Sequence, residues 1–360
     1  MRSAVVGATC RKAPRPDPND VHSTGPGAGY RVSSRAGGGE CTSEGSPGAC
    51  GQRDAAHAGL RHCRRVRVER VLERLGGVAT TKELRRQCSR ARIRLAVAQG
   101  RIVRDVRGRY AVPEADEALR AANRLSGVLC LDSAALHHGW KVKRRPDSPA
   151  IAVPRNRKVA PERRQGVRVV YVDLRGDAVL GRATGFVRTV MDCAARLPFD
   201  EALAIADSAL RARAVTRAEL LHAAERMPAR YRARCLRVAR EADHRADNPF
   251  ESVLRAIALD VPGLAVRPQV WIGSSGRADL GDRRLRLAVE AESFEFHGLR
   301  RMLKRDCERY NAFVLEGWLV IRFAWEHVMF DPAYVSAVLR SAAGQPARRA
   351  LGDAETRLSA

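Results

Sequence analysis

Lysine is almost missing from this chain: it stands at six of 360 positions, 12, 82, 141, 143, 158 and 304. Arginine therefore supplies nearly all of the 65 basic residues, against 40 acidic ones. Such a skew can reflect coding bias. The net charge of +25 thus points to a polyanionic partner less sharply than a local basic patch would. No apolar run approaches ~18 residues, which excludes a transmembrane helix and a membrane partner. The first residues lack the apolar core of a secretory leader. Nine cysteines stand at 10, 41, 50, 63, 88, 130, 193, 235 and 307, with no Cys-x-x-Cys among them. No Cys/His spacing matches a zinc site, so they read as reduced thiols of a cytoplasmic protein.

What is present divides the chain. Residues 1–60 are rich in Gly, Ser, Pro and Arg, with no apolar period, and are expected to form a disordered tail. Residues 61–115 read as a first domain. Val66, Val68, Val71, Leu72 and Leu75 predict a helix stopping at Gly76-Gly77. Thr80 or Thr81 can cap a second, and Ser89 a third through Ile93, Leu95 and Val97. Two short strands then turn at Arg107-Gly108. Three helices and a hairpin predict a winged helix-turn-helix. Between Arg61 and Tyr110 stand 16 basic and 4 acidic residues, net +12. Arg90, Arg92 and Arg94 of the third helix would meet DNA in the major groove, and Arg107 and Arg109 of the wing its backbone. A helical docking module is the alternative for this segment.

Residues 116–244 predict an α/β region with strands at 150–153 and 167–172, and helices around Thr189–Asp192 and Asp200–Leu210. Adjacent His137 and His138 on one helix face different ways and make a poor metal pair. This region reads as a scaffold or linker that could engage a protein partner.

The densest chemistry lies in residues 245–345, followed by a short tail at 346–360. Asp279 ends a short apolar segment. Glu290 and Glu292 stand two apart on the next strand and so project to one face. A hairpin can bring Asp279 beside them, which predicts an oxygen-rich pocket for Mg2+ or Mn2+. His297, just beyond the strand, could serve as general base, bind phosphate, or cap the following helix. On that helix Arg301, Arg305 and Arg309 recur every four residues and share a face. They could grip a DNA backbone, or form a solvated face with Asp306 and Glu308.

Two resemblances follow from these residues. Asn248-Pro-Phe-Glu251, Val266-Arg-Pro-Gln269, Gly276-Arg-Ala-Asp279, Val289-Glu290-Ala-Glu292, Phe296-His297-Gly298, Arg305-Asp306-Cys-Glu-Arg309-Tyr-Asn311 and Gly317-Trp318-Leu-Val-Ile-Arg322, in this order, resemble the Vsr-like endonuclease branch of the PD-(D/E)XK nuclease superfamily. The resemblance implies that Asp279 and Glu290 hold a metal, with Glu292 at the variable third position and Glu251 as accessory acid. The third residue departs from the usual Lys, and close relatives often carry Asp-Gly where Glu292-Ser293 stands. The Gly-Gly-Val-Ala-Thr turn at 76–80 and Gly108-Arg-Tyr-Ala-Val-Pro113 resemble the N-terminal domain of AbiEi-family antitoxins. The expected architecture is thus an α+β multidomain protein: a winged helix-turn-helix, an α/β middle region and a PD-(D/E)XK-like α/β domain. The expected function is that of a DNA-binding protein with a Mg2+-dependent endonuclease domain. The alternative is an antitoxin-like transcriptional repressor with a catalytically inactive nuclease fold.

Overall fold

Helix α1 (Val68–Arg74) turns its valines and Leu72 inward and ends at Gly76 and Gly77, whose φ values of +84° and +83° suit only glycine cheaply. The computed structural model describes residues 67–174, 178–292, 299–345 and 350. The expected tail at 1–60 lies outside them. So do His297 and, but for residue 350, the segment 346–360. Strand β1 (Val78–Thr80) follows α1, then α2 (Thr81–Leu84) and α3 (Arg90–Ala98). Thr80 caps α2 in a full capping box with Glu83, and the Ser89 hydroxyl accepts from the Arg92 N–H at the start of α3. Strands β2 (Val103–Val106) and β3 (Arg109–Ala111) complete a three-stranded sheet in the order β1–β3–β2. The short β1 was not foreseen, because three residues after a glycine pair carry no readable alternation.

The middle region holds α4 (Glu117–Leu125), β4 (Val128–Leu129), α5 (Leu131–His137), β5 (Ala150–Pro154), β6 (Arg168–Val172), β7 (Val179–Leu180) and β8 (Ala183–Thr184). Helices α6 (Phe186–Arg196), α7 (Phe199–Arg211), α8 (Arg217–Glu225) and α9 (Ala229–Glu241) follow. Its five strands align as β6–β5–β4–β8–β7, with β5/β6 and β4/β8 parallel. His138 packs on Trp140 and Phe186 and bonds the Thr184 carbonyl through Nε2, so it is a core residue.

The last region runs α10 (Pro249–Leu259), β9 (Arg267–Ile272), β10 (Gly276–Asp282), β11 (Leu287–Glu292), α11 (Leu299–Leu315), β12 (Leu319–Ala324), α12 (Trp325–Phe330) and α13 (Pro332–Ala343). The sheet order is β12–β11–β10–β9, antiparallel except for β11/β12. Alternation along β11 sorts its side chains. Leu287 and Val289 join the core with α10 and α13, while Ala288 faces Phe313 of α11. The described chain is therefore a mixed α+β protein with three sheets. No helix among the described residues is long and apolar enough to cross a membrane. The five cysteines among them are free, and Cys88, Cys130, Cys193 and Cys235 are buried.

The regions share cores. Val78 and Ala111 pack with Leu119, Leu129 and Ile151, and Ala256 of α10 lies in the core of α6–α9. A buried ion pair ties the last junction. Asp207 of α7 accepts from Arg255 Nη2 of α10 at 2.7 and 2.8 Å, from Ser252 Oγ at 2.7 Å and from the Asp243 N–H at 2.7 Å. Arg255 also donates to the Glu241 carbonyl at the end of α9. Burial raises the Asp207 pKa even so, because desolvation outweighs its partners. Removing one partner would strand the other in the core. Asp207→Leu and Arg255→Leu should each lower stability in a guanidinium titration by ~3–5 kcal/mol, and the double leucine variant by much less than their sum. Additive single losses would contradict this coupling.

Candidate active site

The β10–β11 ladder pairs Asp282 with Leu287, Gly281 with Ala288 and Leu280 with Val289. Beyond that point a side chain takes over the ladder's bonding: the Asp279 carboxylate accepts the Ala291 N–H at 2.9 Å. The Asp279 N–H in turn reaches Glu290 Oε1 at 3.4 Å. Asp279 and Glu290 thus meet where the strands cease to pair, as the hairpin reasoning expected. Glu290 is buried, 2% exposed. Burial raises its pKa, and the Asp279 charge raises it further; burial likewise raises Asp279. Arg309 of α11 opposes both shifts, its Nη2 lying 3.1 Å from Glu290 Oε2. It does not cancel them.

Glu292 departs from expectation. It projects to the α11 side, like Glu290, but its carboxylate is engaged there. Arg322 Nε donates to it at 3.0 Å, and the Tyr310 hydroxyl bonds the same oxygen. Burial pushes Glu292 up, yet Arg322 and Tyr310 hold it below the usual carboxylate value. The three-carboxylate pocket inferred from strand alternation is therefore a pair plus a separate Glu292–Tyr310–Arg322 network. Among the described residues no three His, Cys, Asp or Glu gather as a metal cage. Asp279 and Glu290 remain as hard oxygen donors, buried beside Arg309. That donor set fits Mg2+, which takes one or two carboxylates with water and phosphate oxygens completing its shell.

Glu251 is a capping residue as well as a neighbour of the pair. Asn248 Oδ1 accepts the Glu251 N–H at 3.0 Å, and Glu251 accepts from the Asp247 N–H at 3.0 Å and from Asn248 Nδ2 at 2.9 Å. It also accepts from Gln269 Nε2 at 2.8 Å. Gln269 has φ +56° inside β9, a costly conformation for a non-glycine residue, and its amide is aimed at this buried acid. Sequence reasoning quoted Gln269 without giving it a role. Nothing in the alternation of β9 signals a left-handed residue. Asp247, which faces Glu251 and Asp279, was also missed, since a loop acid before a helix cap reads as solvated.

The arginines expected to grip DNA separate into two groups. Arg305 is exposed on α11, whereas Arg309 is drawn inward against Glu290, the Arg277 carbonyl and the Tyr310 ring. A buried acid opposite a basic helix captures one arginine of the stripe. The side chain of Arg301 and all of His297 lie outside the described residues. In the first region Arg90, Arg94 and Arg107 are exposed and Arg92 is half-buried. Arg109 is half-buried and donates to Ser126 Oγ at the end of α4, so it anchors the strand to the middle region.

Burial, followed by the Asp279 and Asp247 charges, raises Glu251 from 4.5 to about 7. An acid whose folded pKa is raised favours folding at pH below its unfolded value, and that contribution disappears as pH climbs through the folded value. Stability should therefore fall between pH 4.5 and about 7, by on the order of 3 kcal/mol from this group. In urea titrations across that range Glu251→Gln should flatten the fall; an unchanged slope would remove Glu251 as its source.

No family model matches the chain. It is similar to the uncharacterized protein Rv2248 of Mycobacterium tuberculosis strain H37Rv, at 28% identity over 267 residues, spanning 69% of this chain and 95% of that protein. The same figures hold for the uncharacterized protein MT2308 of strain CDC 1551. Among solved structures, the RV2827C protein from Mycobacterium tuberculosis superposes with a TM-score of 0.32 at 20% identity, over 53% of this chain and 79% of that one. A superposition this loose carries no argument about fold or function.

Proposed function

We propose that the chain is a DNA-binding protein whose last region is a metal-dependent endonuclease domain of the PD-(D/E)XK type, hydrolysing DNA phosphodiester bonds. One observation carries the reading: Asp279 and Glu290 are buried together at the opening of the β10–β11 ladder, against the single guanidinium of Arg309. A protein keeps like charges buried at a cost in stability, and such acids mark functional sites. The order helix, three strands, helix, strand from α10 to β12 also supports it, since it runs through the motif segments in the order of the resemblance.

Asp279 and Glu290 would hold the Mg2+ or Mn2+. When bound, the ion supplies Lewis-acid stabilisation of the phosphate and a lowered pKa for water. The residues of the chain do the rest. The Ala291 N–H fixes the Asp279 carboxylate, and the Glu251–Gln269 bond fixes the floor beneath it. Arg309 pairs with Glu290 and would be within the site to meet a phosphate. Glu292 orients Tyr310 and Arg322.

The first region supports duplex binding. We read α1–α3 with the three-stranded sheet as a winged helix-turn-helix, α3 being its reading helix. Arg90 and Arg94 are its exposed contacts. A second reading, a repressor with a silent nuclease fold, is favoured by the ion pairs that occupy Glu290 and Glu292.

Two experiments test these assignments. Supercoiled plasmid should be nicked in Mg2+ or Mn2+ but not in EDTA, and Asp279→Ala or Glu290→Ala should slow nicking about a thousandfold or more. Nicking by both variants at the wild-type rate would sink the metal-site assignment; wild-type protein that binds duplex but never nicks would establish the repressor. Replacing Arg90 and Arg94 with Ala should weaken duplex binding and flatten the slope of log K against log salt by about 1.8, at ~0.9 per phosphate contact. An unchanged slope would move DNA contact away from α3.

A further inference from the structure

A groove of about 590 Å3 runs along the free edge of the last sheet, lined by Arg245, Arg267, Gln269, Trp271, Arg283 and Arg284 among others. Its composition sets it apart from the acid pair. Trp271 is 58% exposed, an unusual state for the largest apolar side chain. Two of the arginines are already engaged: Arg245 grips Asp243 through two bonds, and Arg284 lies 3.8 Å from Asp282 and donates to the Gly263 carbonyl. Arg267 and Arg283 have no acidic partner among the described residues; Arg283 donates only to the Trp271 carbonyl, at 3.1 Å. Asp282, the acid in the lining, is 1% exposed and holds the Ala265 and Leu285 N–H groups, so its charge is turned inward. Gly281 is in the lining too, and a Cβ there would come within 2.8 Å of the Val270 Cβ. A concave edge that offers unpaired guanidinium groups beside one bare indole face matches the chemistry of a phosphate backbone carrying unstacked bases. Duplex DNA hides its base faces and would leave the indole unused.

We infer that the β9-edge groove, through Trp271, Arg267 and Arg283, binds single-stranded nucleic acid. Gln269 links the two sites, lining the groove while its amide holds Glu251 beside the acid pair. The inference does not rest on hydrolysis, since stacking and phosphate contact require no metal.

The full-length protein is titrated in EDTA with a twelve-nucleotide oligothymidylate, and tryptophan emission is followed. Quenching should occur in the wild type and in Arg90→Ala/Arg94→Ala, and should vanish in Trp271→Phe, which keeps an aromatic ring at an exposed position. Trp271→Ala should weaken binding about five- to hundredfold, the worth of one stacked base. Arg267→Ala/Arg283→Ala should flatten the salt slope by about 1.4, at ~0.7 per phosphate on a single strand. Equal quenching in wild type and Trp271→Phe, no quenching at all, or loss of quenching in Arg90→Ala/Arg94→Ala would overturn the proposal. Thymidine monophosphate or duplex binding at the Trp271 signal as tightly as the oligomer would also overturn it, making the groove a mononucleotide pocket or a duplex surface.

Discussion

Two carboxylates are buried side by side where the β10–β11 ladder stops pairing, and one guanidinium stands against them. Much of the last region follows from that arrangement. Burial raises both acids, the Asp279 charge raises Glu290 further, the Glu292 charge adds to each, and Arg309 offsets only part of this. Each carboxylate is nonetheless held: Asp279 by the Ala291 N–H, Glu290 by the Asp279 N–H and Arg309. Helix α11 is pinned to the sheet by the same contacts, with Tyr310 and Phe313 packing behind the arginine. Two neighbouring acids have arrangements of their own. Glu292 is neutralised by Arg322, and Glu251 can carry a proton near neutral pH.

The middle region packs against the helix that carries Glu251. Asp207 and Arg255 are nearly inaccessible, and their bonds reach α7, α9, α10 and the turn at Asp243. Helix α10 is fixed on one side by this pair and on the other by the sheet core. Its N-terminus, capped by Asn248, then presents Glu251 to Gln269. The middle region, expected to be a scaffold or linker, thus contacts the helix that carries Glu251.

Much of this was legible from residues alone. Ser89 and Thr80 act as caps, the two middle strands lie within a residue of their expected places, and the hairpin joins Asp279 to Glu290. These rest on local rules: capping chemistry, period-two alternation and turn length. Two of the misreadings share one cause, competition for charge in three dimensions. Alternation put Glu292 on the correct face but could not reveal that Arg322, thirty residues away on a parallel neighbour, would claim it. The four-residue spacing of α11 made Arg309 look like an outer-face residue, until a buried Glu290 gave it a better partner. Gln269 was invisible for a different reason: its left-handed backbone is imposed by the surrounding sheet and leaves no mark on composition.

Divalent-ion binding tests the central claim most directly, because it asks about Asp279 and Glu290 without requiring turnover. Calorimetric titration of Mn2+ into the full-length protein should show a site that is lost in both Asp279→Asn and Glu290→Gln. It should tighten in Arg309→Met, which removes the competing cation from Glu290. Unaltered Mn2+ binding in the two acid variants, or no binding in the wild type and in Arg309→Met alike, would contradict the account.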